Sequence, residues 1–438
     1  MASTPSATTT EAALTELSEL LRIESVSSDG AHLVELREAA QWIAGLIGGA
    51  GITEEQGNPV VDGLIEASRP GAPTVIAYGH YDVQAPGPLE LWTSPPFEPE
   101  VRDGHVYGRG ACDDKGNFYA LLRAALDLAE AGELGVNVRV LADGEEEVGG
   151  HSVIHHLAGV EGDFAAAVIF DGLMVNARQP AFTTGLRGLV GAQIRIRTGA
   201  RELHSGIYGG VAANPVHDLH RMLSALVDLP AGFSEGIAPV SDAEREGWST
   251  LIPGAEELER GGVTPSDPAA PAEFYDRTWA RPSLTIHSVG SGDPSLHKTS
   301  IQTEARASLS VRLAPGQDAA AMSALLERTL RDACPAHAEL ELELWPPGEP
   351  AWMDPSDPTL GAAFDAVERA TGVRPLAVRS GGSIPVAAAF TARGIPTLLT
   401  GFGVDGDNIH SPDERLEVRR FEWALSSARE IYLALAAL

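Results

Sequence analysis

Cysteine is nearly absent: Cys112 and Cys334 are the two in 438 residues. So few cannot build a disulfide framework, which points to a chain folded on an apolar core in a reducing compartment, with a cytoplasmic location as the expectation. Basic residues are also few. Lys and Arg number 31 against 61 Asp and Glu, a formal net charge of −30. A surface of that sign repels nucleic acid and anionic membranes, and neither is expected as a partner. No apolar run is long enough to cross a bilayer. The opening stretch, Met1 to Thr10, is small and polar, without the basic and then apolar regions of a secretory signal. Internal repeats are absent, and low complexity stops at that N-terminal tail.

What the chain has in quantity is apolar residues, 44% of the total, over a length that favours two domains. Residues 11–24 and 31–49 show helical spacing, as in Leu14, Leu17, Leu20 and Leu21. Pro73 to His80, Val136 to Asp143 and Ala165 to Phe170 read as buried strands, and Asn117 to Ala131 as a helix between the first two. Each strand ends at polar residues: His80, the run Glu145-Glu146-Glu147, and Asp171. Strand–helix alternation predicts an α/β fold, a mostly parallel sheet flanked by helices. In such sheets chemistry sits off the carboxyl ends of the strands.

From about Gly185 the pattern changes. Leu189 to Arg197 and Ala305 to Leu313 alternate apolar and polar residues, the mark of a half-exposed antiparallel sheet. A helix candidate, Pro215 to Leu229, and a Pro/Gly-rich stretch, Pro230 to Pro282, lie between them. Ala314-Pro315-Gly316 reads as a hinge. The expected organisation is a catalytic domain in two parts, residues 1–185 and 315–438, with a smaller α+β domain inserted at 186–314. The returning part carries helices at Asp318 to Ala333, Pro358 to Thr371 and from Val418 onward, and strands at Ala338 to Trp345 and Pro396 to Thr400.

Two carboxylates adjoin in the glycine-punctuated stretch Gly108-Arg109-Gly110-Ala111-Cys112-Asp113-Asp114, just before a helix. Acidic residues there commonly cap free N–H groups. Four further residues argue for more: His80, Glu147, Asp171 and His410 complete a metal-ligating set with Asp113. Imidazole with carboxylate suits zinc, manganese or cobalt, whereas calcium wants oxygen alone. Five ligands exceed the three usual for one catalytic zinc. They fit two ions about 3.5–4 Å apart that share one carboxylate, and Asp113 is the expected bridge. Asp82 is expected to bond the His80 imidazole and fix its tautomer. Glu146 is then free to take a proton from the attacking water and pass it to the leaving amine. Glu145 reads as a solvated charge. His151 and His155 stand four apart but lack the glutamate of the H-E-x-x-H motif, so they read as helix-surface residues.

Gly79-His80-Tyr81-Asp82-Val83-Gln84, the stretch Tyr107 to Gly116 and Gly144-Glu145-Glu146-Glu147 resemble the aminoacylase/dipeptidase family of co-catalytic zinc peptidases. Later motifs agree in family order: Leu203-His204-Ser205-Gly206, Arg312-Leu313-Ala314-Pro315-Gly316, Gly381-Gly382-Ser383-Ile384-Pro385 and Asn408-Ile409-His410-Ser411-Pro412. The dipeptidase and carnosinase branch looks closest. The resemblance implies that His80 and Asp171 hold one ion, Glu147 and His410 the other, and Asp113 both, across a cis Asp113–Asp114 peptide. It implies Glu146 as general base. It makes the inserted domain a lid and homodimer interface, with His204 steadying the oxyanion in the partner's site. Arg312, Thr299 and Gly382 with Ser383 would grip the carboxylate of a small peptide.

The activity so implied is hydrolysis of the amide bond of dipeptides or short peptides with a free C-terminus. Two divalent ions serve it, zinc first, with manganese or cobalt as alternatives. Deacylation of N-acyl amino acids remains an alternative, as does a member that binds without turnover. Three departures from the family pattern stand out: Cys112 for Thr or Ala, Ser380 for Glu, and Gln302 for Pro. The last two bear on substrate preference.

Overall fold

The structure, a computed structural model, describes residues 8–293 and 295–438; most of the polar stretch Met1 to Thr10 lies outside the described residues. Two compact units emerge. The first comprises residues up to Thr184 with Met353–Val378 and Pro385–Leu438, the second Gly185–Trp352 with Arg379–Ile384.

The first unit is built on a sheet in the order Gly51–Thr53, Val60–Ile65, Asn137–Asp143, Thr74–His80, Phe164–Ile169, Thr397–Thr400, Ala181–Leu186. The four strands from Asn137–Asp143 to Thr397–Thr400 run parallel, with antiparallel neighbours on both sides. Six of the seven residues of Thr74–His80 are buried, as expected where helices cover both faces of a parallel sheet. Alternation sorts them. Val75, Ala77, Val138, Val140, Ala166 and Val168 join one core with the helices Thr10–Leu21, Leu33–Ile47, Lys115–Glu130, Pro358–Thr371 and Val418–Leu435. On the other face Tyr78 meets the ring of Phe390 from the helix Pro385–Ala392. All four parallel strands therefore point their carboxyl ends the same way; His80 ends one of them and Glu147, Asp171 and His410 come after the others, while Asp113 precedes the helix Lys115–Glu130.

The second unit holds an antiparallel sheet in the order Ser283–Gly290, Glu304–Leu313, Gly188–Arg197, Glu339–Leu344. The helices Pro215–Val227 and Ala319–Ala333 cover one face with Leu219, Met222, Leu226, Leu326 and Leu330. Asn214 and Asp318 cap their first turns. Because Glu339–Leu344 pairs with Gly188–Arg197, this unit runs on past Pro315 to Trp352. Among the described residues no helix is long and apolar enough to cross a membrane.

Candidate metal centre

His80 is the last residue of its strand and is 1% exposed. Its Nδ1 lies 3.0 Å from the Asp82 carbonyl and 3.4 Å from the Asp82 carboxylate. A proton held there leaves the Nε2 lone pair outward, and Nε2 lies 3.0 Å from Asp113 Oδ1 and 3.9 Å from Asp171 Oδ1. On the other side His410 Nε2 lies 2.9 Å from Asp113 Oδ2 and 3.1 Å from Glu147 Oε2. Two ligand clusters result, His80–Asp113–Asp171 and Asp113–Glu147–His410, each with its ligand atoms within 4.8 Å of one another. Asp113 belongs to both, one oxygen to each.

The neighbours explain how the ligands are aimed. Asp82 is fully buried, and its two oxygens accept the backbone N–H groups of Glu146 and Glu147, each at 3.1 Å. Gln84 Nε2 donates to Glu147 Oε2 at 2.9 Å. Asp114 does not cap the helix it precedes; its Oδ2 accepts the His80 backbone N–H at 3.3 Å. The Asp113–Asp114 peptide is cis. His410 takes a left-handed backbone, φ 59°, in a loop with Asn408 and Asp413 at φ 58°. His151 and His155 are exposed on the helix His151–Ala158 and join no ligand cluster among the described residues.

Charge is crowded here. Burial, then the charges of Asp114, Asp113 and Glu146, push Asp171 well above the carboxylate range, with His80 opposing. Burial raises Asp143 to about 8, with Asp82 adding to it. Burial also lifts Glu146 to about 7, with Asp82, Glu147 and Asp113 adding and His80 opposing. Hydrogen bonds to Asp113 and Glu147 raise His410 to about 10. For His80 burial favours the neutral ring, yet Asp113 and Asp82 carry its pKa well above the usual value.

The donor set fits divalent cations. Asp114 Oδ1 is buried without a partner, and the Asp171 carboxylate has no hydrogen-bond donor among the described residues. Carboxylates packed this way need positive charge beside them. The Glu146 carboxylate likewise makes no hydrogen bond or ion pair among the described residues, which leaves it free beside the ligands. Cys112 is not a member of either cluster. Burial raises its thiol well above the ordinary value, and Sγ lies 3.7 Å from Asp407 Oδ2, an inert environment.

The remaining expected residues lie on the second unit. His204 pairs with Ser300 across a two-residue strand, its Nδ1 accepting the Gly206 N–H at 3.0 Å. Ser205 N–H donates to the Thr299 carbonyl at 3.0 Å. Arg312 stands opposite Leu189 and Ser283 in the sheet. It has a cationic neighbour: Arg187 is buried, and burial, then the charge of Arg312, lower its pKa to about 10. Gly382 accepts the Arg187 N–H through its carbonyl at 3.1 Å, and its own N–H donates to Ser380 Oγ at 3.1 Å. Ser380 thus shapes the Gly381–Ser383 turn, while Gln302 Nε2 donates to Ser300 Oγ at 2.9 Å.

Sequence reasoning gave no role to Gln84, Asp143, Arg109 or Glu414. Gln84 lies inside the quoted His80 motif, so its polar side chain one turn of loop beyond Asp82 was an available signal. The others act through contacts between distant parts of the chain, for which periodicity carries no sign.

The chain is similar to known proteins over nearly its whole length. The chain is 30% identical over 440 residues to a cysteinylglycine-S-conjugate dipeptidase of Corynebacterium striatum, covering 95% of this chain and 94% of that one. It is 28% identical to the human beta-Ala-His dipeptidase over 421 residues, 91% of this chain and 81% of that one. Among solved structures it resembles a metallo-carboxypeptidase of Sulfolobus solfataricus, with TM-score 0.79, 25% identity and coverage of 97% and 99%. A di-peptidase of Saccharomyces cerevisiae gives TM-score 0.70, 27% identity and coverage of 97% and 96%. The sequence model of Peptidase family M20/M25/M40 matches residues 76–437. That span takes in every residue of both ligand clusters, so the chain belongs to Peptidase family M20/M25/M40 and is a metal-dependent hydrolase of peptide bonds that works with two divalent metal ions.

Proposed function

We propose that the enzyme is a dipeptidase that also accepts very short peptides with a free C-terminus. His80 and Asp171 would hold one ion, Glu147 and His410 the other, and Asp113 both, with zinc as the first choice. When bound, such ions polarise the scissile carbonyl and lower the pKa of water at the site. Glu146 then takes the proton of the attacking water and returns it to the leaving amine. Asp82 holds the backbone from which Glu146 and Glu147 diverge. The observation that carries this reading is the partnerless Glu146 carboxylate beside two clusters joined at Asp113.

Dipeptides are favoured because relatives named dipeptidases cover nearly the whole chain. Arg312 and Arg187 support capture of the substrate carboxylate, with Thr299, Gly382 and Ser383 completing the grip. The second unit is read as a lid and homodimer interface. There His204 serves the partner's site, and the enzyme works in the cytoplasm. The test is a panel of dipeptides and N-acyl amino acids assayed with zinc, manganese or cobalt. Turnover of the acyl-amino acids with dipeptides ignored transfers the assignment to a deacylase, and metal binding with no turnover of either removes catalysis. Hybrid dimers of His204→Ala and Glu146→Gln chains should recover activity if His204 acts across subunits.

A further inference from the structure

Four hydrogen-bond donors converge on one carboxylate beside the metal centre. Glu414 is fully buried. Its Oε1 accepts the backbone N–H of Cys112 at 2.9 Å and of Asp113 at 3.0 Å. Its Oε2 accepts the Gly110 N–H at 3.0 Å and Arg109 Nη1 at 2.6 Å. The Glu414 carbonyl takes the Gly108 N–H at 3.0 Å. The loop from Gly108 to Asp113 is therefore wrapped around a single side chain, and one of the groups gripped is the N–H of Asp113 itself.

That side chain belongs to the other ligand's loop, four residues after His410. The loop is fixed at both ends. Asp407 forms a buried pair with Arg420, at 2.5 and 2.7 Å. Asp413 accepts the Thr93 N–H at 2.8 Å and its hydroxyl at 2.7 Å. Non-glycine residues in the left-handed region are strained and persist where the surroundings hold them; Asn408, His410 and Asp413 are such residues. Glu414 carries the hydrogen bonds by which this anchored loop grips the backbone of the Asp113 loop. Hydrogen bonds from N–H groups to a carboxylate are stronger than neutral ones, and Arg109 balances the added negative charge.

We propose that Glu414 sets the position of Asp113 relative to His410, so that one carboxylate and one imidazole on separate loops present their oxygen and nitrogen to the same cation. Glu414 acts through the backbone of Asp113 and is a positioning residue. The proposal rests on the reading of Asp113 and His410 as metal ligands. A buried Arg–Glu pair that merely stabilises the fold would have no reason to spend three acceptor sites on the backbone leading to a ligand.

The variant Glu414→Gln tests it. Whichever way the amide turns, its NH2 faces two N–H donors. Cobalt(II) is the probe, titrated into the full chain against a competing chelator, with the visible absorption of the cobalt protein and far-UV circular dichroism read together. The expected result is a folded protein whose cobalt affinity falls about 10–100-fold, the range for residues that orient ligands, with an altered cobalt spectrum and a loss in kcat larger than any change in KM. Glu244→Gln, which disturbs the buried Arg379–Glu244 pair of the second unit, is the control: its melting temperature falls, and cobalt affinity and spectrum stay at the wild-type values. A folded Glu414→Gln protein with wild-type affinity and spectrum overturns the proposal. Should that variant not fold, Glu414→Asp, which withdraws the carboxylate by one methylene, is read in the same two ways, and wild-type values there overturn it equally. Wild-type protein that takes up no cobalt is a different failure, that of the ligand reading itself.

Discussion

Asp82 accepts the Glu146 N–H at 3.1 Å through one carboxylate oxygen and the Glu147 N–H at the same distance through the other. One buried carboxylate thus sets the backbone of the proposed base and of a proposed metal ligand, while its own residue's carbonyl faces His80 Nδ1. Asp82→Asn turns one acceptor into an NH2 that meets an N–H. We expect kcat to fall by about 10–100-fold and metal affinity to fall with it. Equilibrium dialysis beside steady-state kinetics checks both, and a variant with normal kinetics would show that Asp82 serves the fold alone.

Glu146→Gln should behave differently. No ligand is removed, so both equivalents of metal should stay bound while kcat drops by about 10²–10⁴-fold, the range for loss of a general base. The pH profile gives a second reading. Burial holds Glu146 up, from 4.5 to about 7, and the base works ionised, so kcat/KM falls as pH drops through its pKa. Cations on Asp113 and Glu147 favour the ionised form. The acid limb should therefore lie below about 7 and be lost in Glu146→Gln; an acid limb that persists unchanged in that variant excludes Glu146.

Removing the metal provides the third test. A strong chelator should abolish activity, and zinc, manganese or cobalt should restore it with two equivalents per chain. Ions that bind the folded chain stabilise it by mass action, about 2.7 kcal/mol at a hundredfold excess over Kd. The melting temperature should rise with added metal in the wild type. It should rise less in Asp113→Ala, which lacks the residue shared by both clusters.

Much of this site was legible because a fully buried strand leaves a continuous apolar run. His80 and Asp171 are polar residues at or just past such runs. His410 was harder, since its loop has no periodicity and its left-handed backbone is of a kind that glycine usually occupies; the motif Asn408-Ile409-His410-Ser411-Pro412 located it. Glu414 was not legible. Its bond to Gly110 joins residues 304 apart, and a glutamate between Asp413 and Arg415 looks like surface. The continuation of the second unit to Trp352 was hidden for another reason. Glu339 to Leu344 alternates Glu and Leu, a pattern that says one face is exposed but not which sheet it edges.

Gly403 shows how closely the shell of the site is packed. A Cβ there would lie 2.5 Å from Cys112 Sγ and 3.2 Å from Leu173 Cδ2. Gly403→Ala should destabilise by about 1–3 kcal/mol through overpacking. Removing the sulfur makes room, so Cys112→Ala/Gly403→Ala should recover part of that loss. Urea unfolding of the four proteins should give a favourable coupling of about 0.5–3 kcal/mol. Additive losses would place the strain elsewhere.

The buried pair Arg379–Glu244 offers a test that separates stability from the proposed substrate capture. Arg379 is 1% exposed, donates to Glu244 at 2.9 Å and also binds the carbonyls of Ala238 and Pro239. It immediately precedes the Ser380–Ser383 turn. Arg379→Met removes the guanidinium from a buried Glu244, and breaking a buried ion pair from one side typically costs about 3–5 kcal/mol. Replacing both by Met removes the charges together and should return most of that stability, because a buried ion pair and an apolar pair of similar size are often close in energy. If the pair serves only the fold, KM for dipeptides recovers in the double variant along with the melting temperature. If Arg379 positions the turn that meets the substrate carboxylate, stability returns and KM stays raised, since no apolar side chain can bond the Ala238 and Pro239 carbonyls. We expect the second outcome.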